Sequence, residues 1–330
     1  MTKRASKVRG YVVGIDAGGS GTTTLVATPD GQAVAQGRGG PANILVAGEE
    51  GAREALASAL DAAFAAVRGV LDVREQVVAV AAGVAGAHVS ADIERVERLL
   101  EDMLPGRAIK VYNDGEIALA GATGGREGIV VVAGTGSIAL GRGHDGRTLR
   151  CGGWGYIIGD EGSAYTIVRR ALQEAAWVVD GRTAGSALVD AFVMAFGVPD
   201  FDSIVPALYG PPPMTRDRLA AFAPVVLQCA IAGDESARRV LVEAGEGLAD
   251  MASTLARRLD LCDAPFRIAC SGGVWKAGES LTESFRARVR SVCPQANVGP
   301  PLLSPAEGAV LLAARLLDDA TVENRRMSLR

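Results

Sequence analysis

Two aspartates at the ends of apolar runs, Asp16 and Asp114, are the residues of this chain best placed for chemistry. The run that ends at Asp16 is followed by the glycine- and hydroxyl-rich stretch "GGSGTTT". Backbone N–H groups in such a loop can hold phosphate oxygens, and a neighbouring carboxylate suits Mg²⁺, which prefers oxygen ligands and keeps part of its hydration. We predict that Asp16 holds Mg²⁺ through water. The predicted phosphate-binding residues are Gly18, Gly19, Ser20, Gly21 and Thr22. For a single loop of this kind, a plain glycine-rich hairpin is the alternative.

A second loop of similar composition follows the apolar run that begins at Gly128. It contains Gly134, Thr135, Gly136 and Ser137, and the turn "HDG" comes after it as "PDG" comes after the first loop. Two copies of one supersecondary unit indicate an internal duplication. Two such loops that face one cleft would bind phosphates from both sides. We therefore predict phosphate contacts at Gly134, Thr135 and Gly136 as well.

Other common motifs do not fit these residues. A Walker loop needs a lysine after its glycines and then a helix, and a dinucleotide fingerprint needs GxGxxG at the start of a helix. Here the glycines join two predicted strands. The only histidines, His88 and His144, stand beside turn-like residues, and no GxSxG stretch is present. The sequence therefore does not favour a Ser-His-Asp hydrolase.

The elements that must position the first loop alternate between strand and helix. Apolar, β-branched runs predict strands, and spaced apolar residues among strong helix formers predict helices, the second with Ser90 as its N-cap. The strands are expected over 11–16, 22–28, 32–37, 77–86 and 108–114, and the helices over 49–68 and 90–104. This βββαβαβ order implies an α/β layer sandwich.

The second half repeats strand, loop, strand, turn and strand over Gly128–Leu149, and then adds helices. One further strand is expected over 266–275. Helices are expected over 160–181, 217–233, 235–259, 279–292 and 304–317, the last with Ser304 as its N-cap before Pro305.

Composition narrows the class of protein. The 330 residues favour two domains, and the 48% hydrophobic content is enough for sizeable cores. The net charge of -4 gives no electrostatic footprint for nucleic acid. The basic residues within 1–10 are expected to form a frayed tail, and no run approaches the roughly 20 apolar residues of a membrane helix. The five cysteines are odd in number and form no CxxC pair, so we expect reduced thiols in a cytoplasmic protein. Metal binding by Cys262 and Cys270 is the alternative.

Five stretches together resemble a known family: "GIDAGGSGTTT", "VYNDGEIALAGA", "VVVAGTGSIALG", "GGWGYIIGDEGSAY" and "CSGGVW". They are similar to the N-acetylglucosamine kinase and BadF/BadG/BcrA/BcrD-type ATPase family of the actin/hexokinase/Hsp70 superfamily. The resemblance implies a two-domain ribonuclease-H-like fold with an internal duplication and an interdomain cleft. The expected domains are 1–118 plus about 304–330, in which the C-terminal helix packs back on the first domain, and 119–303 with helical insertions.

The resemblance also implies roles for individual residues. Asp114 matches the family's catalytic base, with a helix N-cap as the alternative role. "CSGGVW" resembles an adenosine-binding turn, in which Gly272 and Gly273 would face the nucleotide. The sugar-binding residues implied are Asn43, Asp114, Ser137, Gly152, Gly153 and Asp160, with a helix cap again the alternative for Asp160.

Asn43 marks a departure from the animal members of the family. An aromatic residue follows the asparagine in those enzymes, whereas Ile44 and Leu45 stand here. This is similar to bacterial members, some of which act on glucosamine.

The function expected from these residues is an ATP-dependent kinase that phosphorylates the 6-hydroxyl of N-acetylglucosamine or a related amino sugar. Its cofactors would be ATP and Mg²⁺, and its partners the sugar and MgATP, in a cytoplasmic homodimer that binds neither nucleic acid nor membrane. Glucosamine kinase is one alternative. An ATPase activator of a 2-hydroxyacyl-CoA dehydratase is another, but it would carry closely spaced cysteines for an iron–sulfur cluster. A sugar-binding regulator would carry a DNA-binding domain, and about ten residues precede the first predicted strand. A ROK-type kinase would carry a cysteine-rich zinc motif.

Overall fold

The computed structural model describes residues 10–67, 69, 72–87 and 89–327. His88 and the basic N-terminal residues lie outside them. The described strands are β1 (Tyr11–Ala17), β2 (Thr22–Ala27), β3 (Ala33–Gly39), β4 (Val77–Val84), β5 (Ala108–Asn113), β6 (Gly128–Ala133), β7 (Ser137–Arg142), β8 (Thr148–Gly152), β9 (Phe266–Ser271) and β10 (Ala296–Gly299). The helices are α1 (Ile44–Ala66), α2 (Ser90–Met103), α3 (Asp114–Thr123), α4 (Ala164–Val179), α5 (Leu188–Phe196), α6 (Ile204–Tyr209), α7 (Arg216–Ala220), α8 (Ala223–Ile231), α9 (Glu235–Arg258), α10 (Glu279–Val292) and α11 (Pro305–Met327).

These elements form two compact units. The first unit comprises Met1–Arg126 and Pro301–Arg330, so that the C-terminal helix α11 belongs with the N-terminal elements. The second unit comprises Glu127–Pro300. The expected domain limits, at 118/119 and near 303/304, stay a prediction for independently folding domains.

The first unit is built on a sheet with the order β3-β2-β1-β4-β5. The hairpin strands β1, β2 and β3 pair antiparallel, whereas β4 and β5 run parallel to β1. Alternate residues of β1 face opposite sides: Val13 packs in a core with α1 and α2, and Val12 packs in a core with α3 and α11. Helices on both faces explain why the central strands β1 and β4 are nearly continuous apolar runs.

The second unit repeats this topology strand for strand. Its sheet has the order β8-β7-β6-β9-β10, with β6, β7 and β8 antiparallel and β9 and β10 parallel to β6. The long helix α9 packs against this sheet, and α4 and α8 pack against α9. The two matching sheets confirm the predicted α/β class and the internal duplication.

Strand β10 is absent from our sequence prediction. It is four residues long, ends in Gly299, and contains the polar Asn297, so its own sequence gives a weak strand signal. It forms because β9 offers a parallel edge, on which Ala296 pairs with Phe266. The duplication predicted from the loops implies this fifth strand, since β5 holds the equivalent place in the first unit.

Small residues fix the position of α3. A Cβ on Gly83 of β4 would lie 2.3 Å from Ile117 of α3, so the glycine lets this helix approach the sheet. On the other side, a Cβ on Gly308 of α11 would lie 2.1 Å from the Ile117 carbonyl oxygen and 2.4 Å from the Gly121 nitrogen. Helix α3 is therefore held tightly between β4 and α11, which fixes the place of its first residue, Asp114.

The start of α2 differs from the sequence prediction. Val89 occupies the N-cap position without a side-chain cap, and Ser90 is the first helical residue. The predicted cap by Ser304 is confirmed, because its hydroxyl accepts a hydrogen bond from the Glu307 nitrogen and Glu307 accepts one from the Ser304 nitrogen.

The cysteines correct another expectation. Cys262 and Cys293 form a disulfide, so the prediction that all five thiols are reduced is wrong for these two. The pairing follows from β9 and β10: each cysteine stands just before one of these neighbouring parallel strands, with a Cα–Cα distance of 4.6 Å. Burial raises the pKa of the Cys270 thiol to about 12, which keeps it protonated near neutral pH. Among the described residues, no group of three or more His, Cys, Asp or Glu side chains could hold a metal ion.

In the part of the chain that the structure describes, no helix combines the length and apolar character needed to cross a bilayer. The cytoplasmic location and the homodimer stay predictions.

Candidate active site

The first glycine loop is the tight turn of the β1–β2 hairpin. The Gly18 nitrogen donates a hydrogen bond to the Gly21 oxygen at 3.0 Å, and the Ala42 nitrogen donates to the Gly18 oxygen at 3.1 Å. Gly19 and Ser20 are exposed, and a Cβ on Gly19 would meet no atom within 4 Å. The tip of the loop therefore leaves room for an anion close to its backbone. The Thr22 hydroxyl is buried and donates to the Gly40 oxygen at 2.8 Å, so it is engaged within the protein.

The second glycine loop joins β6 and β7 in the same way and is one residue shorter than the first. The Gly134 nitrogen donates to the Gly136 oxygen at 2.9 Å, and the Gly134 oxygen accepts from the Ala164 nitrogen, at the start of α4, at 2.9 Å. A Cβ on Gly134 would also meet nothing within 4 Å. The two sheets therefore each carry a glycine hairpin loop at the matching place, and phosphate binding by these loops stays a prediction.

A cavity of about 510 Å³ opens beside the second loop. The loop residues Gly134 and Thr135 line one part of it, and Gly273 and Lys276 line another. The remaining walls are mostly small or apolar side chains from α4, α7, α8 and the turn after β9: Ala164, Ile167, Ala220, Ala221, Ala223, Pro224, Leu227, Val274 and Ala277, with Asp217 at α7. Apolar walls suit a flat heterocyclic base, and loop amides suit phosphates, so these residues fit a nucleotide.

The two glycines after β9 differ in whether the fold requires a glycine at that position. Gly272 has φ +105° and a Cβ there would lie 2.2 Å from the Ala133 oxygen of β6, so this position requires glycine for the fold itself. A Cβ on Gly273 would meet nothing within 4 Å. Sequence reasoning found both glycines but missed the walls from α7 and α8, because that region carries no motif.

Asp16 and Asp114 lie at the same edge of the first sheet. Asp16 of β1 pairs with Gly83 of β4, and Gly83 pairs with Tyr112 of β5, two residues before Asp114. The pKa of Asp16 is raised, first by burial and then by the negative charge of Asp114. A buried carboxylate whose charge is disfavoured by a neighbouring carboxylate fits a divalent cation, and Mg²⁺ commonly takes one or two carboxylates plus waters and phosphates.

Removing the Asp16 charge is expected to stabilise the ligand-free protein at neutral pH. Because its pKa is raised on folding, Asp16 contributes most stability when protonated, below the usual aspartate pKa of about 3.9, and that contribution is lost as pH rises through the raised value. Asp16→Asn should therefore raise the melting temperature at pH 7–8, with no difference from the wild type near pH 3.5, in thermal scans without nucleotide.

Asp200→Asn is the matched control with the opposite sign. Hydrogen bonds from the Ser203 hydroxyl and nitrogen lower the pKa of Asp200, so its stabilisation is present at neutral pH and lost on acidification. This variant should melt lower than the wild type at pH 7–8. A lower melting temperature for Asp16→Asn at pH 7–8 would contradict the electrostatic account of that site.

Asp114 is not the N-cap of α3. Asn113 holds that place in a capping box: its side-chain oxygen accepts from the Gly115 nitrogen at 2.9 Å, and Glu116 accepts from the Asn113 nitrogen at 3.1 Å. Asp114 is the first residue of the helix and half-buried, and it accepts only from the Gly115 nitrogen among the hydrogen bonds of the described residues. The capping alternative for Asp114 is therefore wrong, and its carboxylate is not required to cap the helix.

Asp160 is also free of the capping role suggested for it. Ser163 caps α4, since its hydroxyl accepts from the Thr166 nitrogen at 3.2 Å. Asp160 has φ +61° and is only 3% exposed. Its Oδ1 accepts from the Ser137 nitrogen at 3.2 Å, and Arg216 Nη1 lies 3.7 Å from its Oδ2.

The Oδ2 atom of Asp160 is buried and has no hydrogen-bond partner among the described residues. An unpaired buried acceptor costs roughly 1–3 kcal/mol, so such atoms in a site point to a missing donor. Gly136 of the second loop faces this carboxylate, and a Cβ there would lie 2.9 Å from Oδ2. The structure thus places an acceptor that receives no hydrogen bond from the described residues directly against the second glycine loop.

The other predicted sugar residues of the second unit have structural contacts. The Ser137 hydroxyl donates to the Glu161 oxygen at 2.7 Å, which ties the segment around Asp160 to β7. A Cβ on Gly152 would lie 2.3 Å from Met251 Sδ, and one on Gly153 would lie 2.7 Å from the side chain of Ile138. Packing alone accounts for these two glycines. Their contact with a sugar, and that of Ser137, stays a prediction.

Asn43 caps α1 in the first unit. Its Oδ1 accepts from the Leu45 nitrogen at 3.0 Å, while its Nδ2 makes no hydrogen bond among the described residues. The preceding residue, Ala42, is bonded to Gly18, so the first unit brings Asn43 next to the glycine loop. Leu45 and Val46 beside it are exposed, at 66% and 84%.

The chain matches one known protein family over most of its length. The model of the BadF/BadG/BcrA/BcrD ATPase family matches residues 13–313, nearly the whole chain. The chain belongs to this family. The family match confirms the resemblance found in the sequence.

Individual relatives agree with the family. An N-acetylmuramic acid/N-acetylglucosamine kinase of Clostridium acetobutylicum is 31% identical over 92% of this chain and 98% of its own. A glucosamine kinase of Vibrio cholerae is 31% identical over 70% of this chain and 75% of its own. A crystal structure of a protein proposed to be an N-acetylglucosamine kinase, from Chromobacterium violaceum, shares 30% identity with a TM-score of 0.67, and the match covers 93% of this chain and 99% of that one. The expected actin-like kinase fold is confirmed, and the chain is a phosphotransferase with an alcohol group as acceptor.

Proposed function

We propose that this family member is an amino-sugar kinase that transfers the γ-phosphoryl group of MgATP to the 6-hydroxyl of N-acetylglucosamine or a close relative. The observation that carries the proposal is the buried Oδ2 of Asp160, which lies against the second glycine loop and accepts no hydrogen bond from the described residues. A sugar hydroxyl is a donor that this acceptor lacks, and the neighbouring loop offers backbone to phosphates.

The proposed roles of the site residues follow from their chemistry. Asp114 would take up the proton of the accepting hydroxyl as the new P–O bond forms, and would orient that hydroxyl. Asp160 and Asn43 would bind the other sugar hydroxyls, one as a charged acceptor and the other through its uncommitted amide donors. The glycine loops would hold phosphate oxygens through backbone N–H groups.

Asp16 is the residue proposed to hold Mg²⁺, through water. When bound, the ion neutralises charge on the phosphates and helps to orient them. Its fit rests on the raised pKa of Asp16 beside Asp114, because a cation there would relieve the repulsion between the two carboxylates. The walls of the 510 Å³ cavity would hold the adenine and ribose of ATP.

The sugar is proposed on narrower grounds. The relatives suggest three candidate substrates. The Clostridium acetobutylicum relative is a kinase for N-acetylmuramic acid and N-acetylglucosamine, and the Vibrio cholerae relative is a kinase for glucosamine. We place N-acetylglucosamine first, and glucosamine second because Ile44 and Leu45 follow Asn43.

A coupled ADP-release assay against a panel of hexoses and amino sugars tests the function, with NMR of the product to locate the phosphate. We expect sugar-dependent ADP release with N-acetylated or free amino sugars, well above that with glucose, and a phosphate on the 6-oxygen. ADP release that no sugar stimulates would overturn the kinase proposal and favour the ATPase-activator alternative.

Gly273→Val is expected to raise the KM for ATP by about tenfold or more without loss of stability. The Cβ position faces open space, so the folded protein accommodates it, but the added methyl groups would occupy the cavity proposed for the nucleotide. ATP titrations and thermal scans measure both effects. Gly272→Ala is the contrast, because its clash with Ala133 should lower the melting temperature. An unchanged ATP KM in a stable Gly273→Val protein would place the nucleotide elsewhere.

A further inference from the structure

A second cavity of the same unit, of about 550 Å³, has no role in the mechanism above. Its lining comes from helices α4, α6 and α7 and from Tyr156, in the loop between β8 and α4. It shares no lining residue with the cavity proposed for the nucleotide. Its volume lies within the range of small-molecule sites, roughly 300–1,000 Å³. We call it the arginine cavity, after Arg169 and Arg216 in its lining.

Arg216 connects this cavity to the proposed sugar site. Its Nη1 lies 3.7 Å from Asp160 Oδ2, and its guanidinium lies 5.9 Å from the ring centre of Tyr156. Tyr156 in turn meets Tyr165 edge to face, with ring centres 5.2 Å apart. A ligand whose hydroxyl bonds to Asp160 would therefore have the arginine cavity as a direct neighbour.

The charge of the lining favours an anion. The lining contains two guanidinium groups and no carboxylate. Arg216 is partly balanced by Asp160 and by Asp217 at 3.9 Å. Arg169 has no ion pair or hydrogen bond within the part of the chain that the structure describes. A guanidinium fork matches a carboxylate with two parallel hydrogen bonds, and the apolar Leu172 and Leu208 beside it suit carbon atoms next to that group.

We propose that the arginine cavity is a subsite for an acidic substituent of the amino sugar, a carboxylate joined to the ring by a short carbon linker, and that Arg169 is its principal ligand. This inference rests on the proposed sugar-kinase function. If the subsite exists, an ether of N-acetylglucosamine that carries a carboxylate should be a better substrate than the same ether with the carboxylate esterified. N-acetylmuramic acid, the 3-O-lactyl ether, and its methyl ester are the matched pair of probes.

The test compares kcat/KM for N-acetylglucosamine, N-acetylmuramic acid and the methyl ester in the wild type and in Arg169→Gln. We expect the wild type to prefer the acid over the ester by about tenfold, which corresponds to about 1.4 kcal/mol. Arg169→Gln should abolish that preference and change the other two sugars by less than about twofold, and Arg169→Lys should keep part of it. Arg218→Gln, on the same helix as Arg216 but outside the lining, is the control and should change none of the three.

The outcomes separate this inference from the kinase proposal. If the acid-to-ester ratio is the same in the wild type and in a folded Arg169→Gln protein, the subsite is wrong although the kinase proposal stands. If no amino sugar is phosphorylated, the kinase proposal fails, and calorimetric titration with N-acetylmuramic acid decides the subsite. Binding that Arg169→Gln weakens would support it, and binding that is absent or unchanged would overturn it.

Discussion

Asp114→Asn is expected to lower kcat for sugar phosphorylation by about 10²- to 10⁴-fold, the usual contribution of a general base. The change removes the proton acceptor and keeps the shape of the side chain. Helix α3 should keep its start, because Asn113 and Glu116 form the capping box without Asp114. The sugar dissociation constant, measured by calorimetry, and the melting temperature should therefore change much less than kcat.

Glu116→Gln is the matched control for this prediction. It removes a carboxylate two residues away, yet a glutamine oxygen can still accept from the Asn113 nitrogen in the capping box. Its kcat should stay within a few-fold of the wild type. If Asp114→Asn retained most of its kcat, Asp114 would not be the base, and the other carboxylate at this sheet edge, Asp16, would be the next to test.

The duplicated hairpin could be predicted because glycines and hydroxyl residues follow an apolar strand in both halves of the sequence. Each loop keeps its backbone open, and glycine adds no side chain to that space: a Cβ on Gly19 or Gly134 would meet no atom within 4 Å. Strand β10 could not be predicted from its own residues, since it depends on the edge that β9 offers. The same pair of strands brings Cys262 and Cys293 together, so the disulfide and the strand were missed for one reason.

Within the site, the sequence identified Asp114 and Asp160 but left a capping role open for both. In the sequence, an aspartate just before a helix looks the same whether it caps the helix or contacts a substrate. The distinction depends on which neighbour caps the helix, and here Asn113 and Ser163 do so. The spacing from Asn113 to Glu116 is a capping-box signal that the sequence already contained. No comparable signal marks the cavity walls from α7 and α8, which become visible only when the helices are packed.

Asp160→Asn is expected to raise the sugar KM by about five- to more than a hundredfold, from the roughly 1–3 kcal/mol that an unpaired buried hydrogen-bonding group costs. Asparagine is the informative change. It tolerates the left-handed backbone at φ +61°, and its oxygen can still accept from the Ser137 nitrogen. What it removes is the negative charge and the acceptor at Oδ2, which accepts no hydrogen bond within the described protein and has Arg216 as its ion-pair partner at 3.7 Å. Asp160→Ala would also leave the Ser137 nitrogen unpaired and so mix structural loss with lost binding.

The KM for ATP should change much less in Asp160→Asn, because the side chain lies outside the nucleotide cavity. Glu161→Gln is the neighbouring control: its side chain is exposed and only its backbone oxygen bonds to Ser137, so both KM values should hold. Asn43→Ala should raise the sugar KM less than Asp160→Asn, since a neutral amide binds hydroxyls more weakly than a carboxylate does. A rise in the ATP KM with an unchanged sugar KM in Asp160→Asn would reverse the assignment: the unpaired oxygen would then serve the nucleotide, and the sugar would have to bind without it.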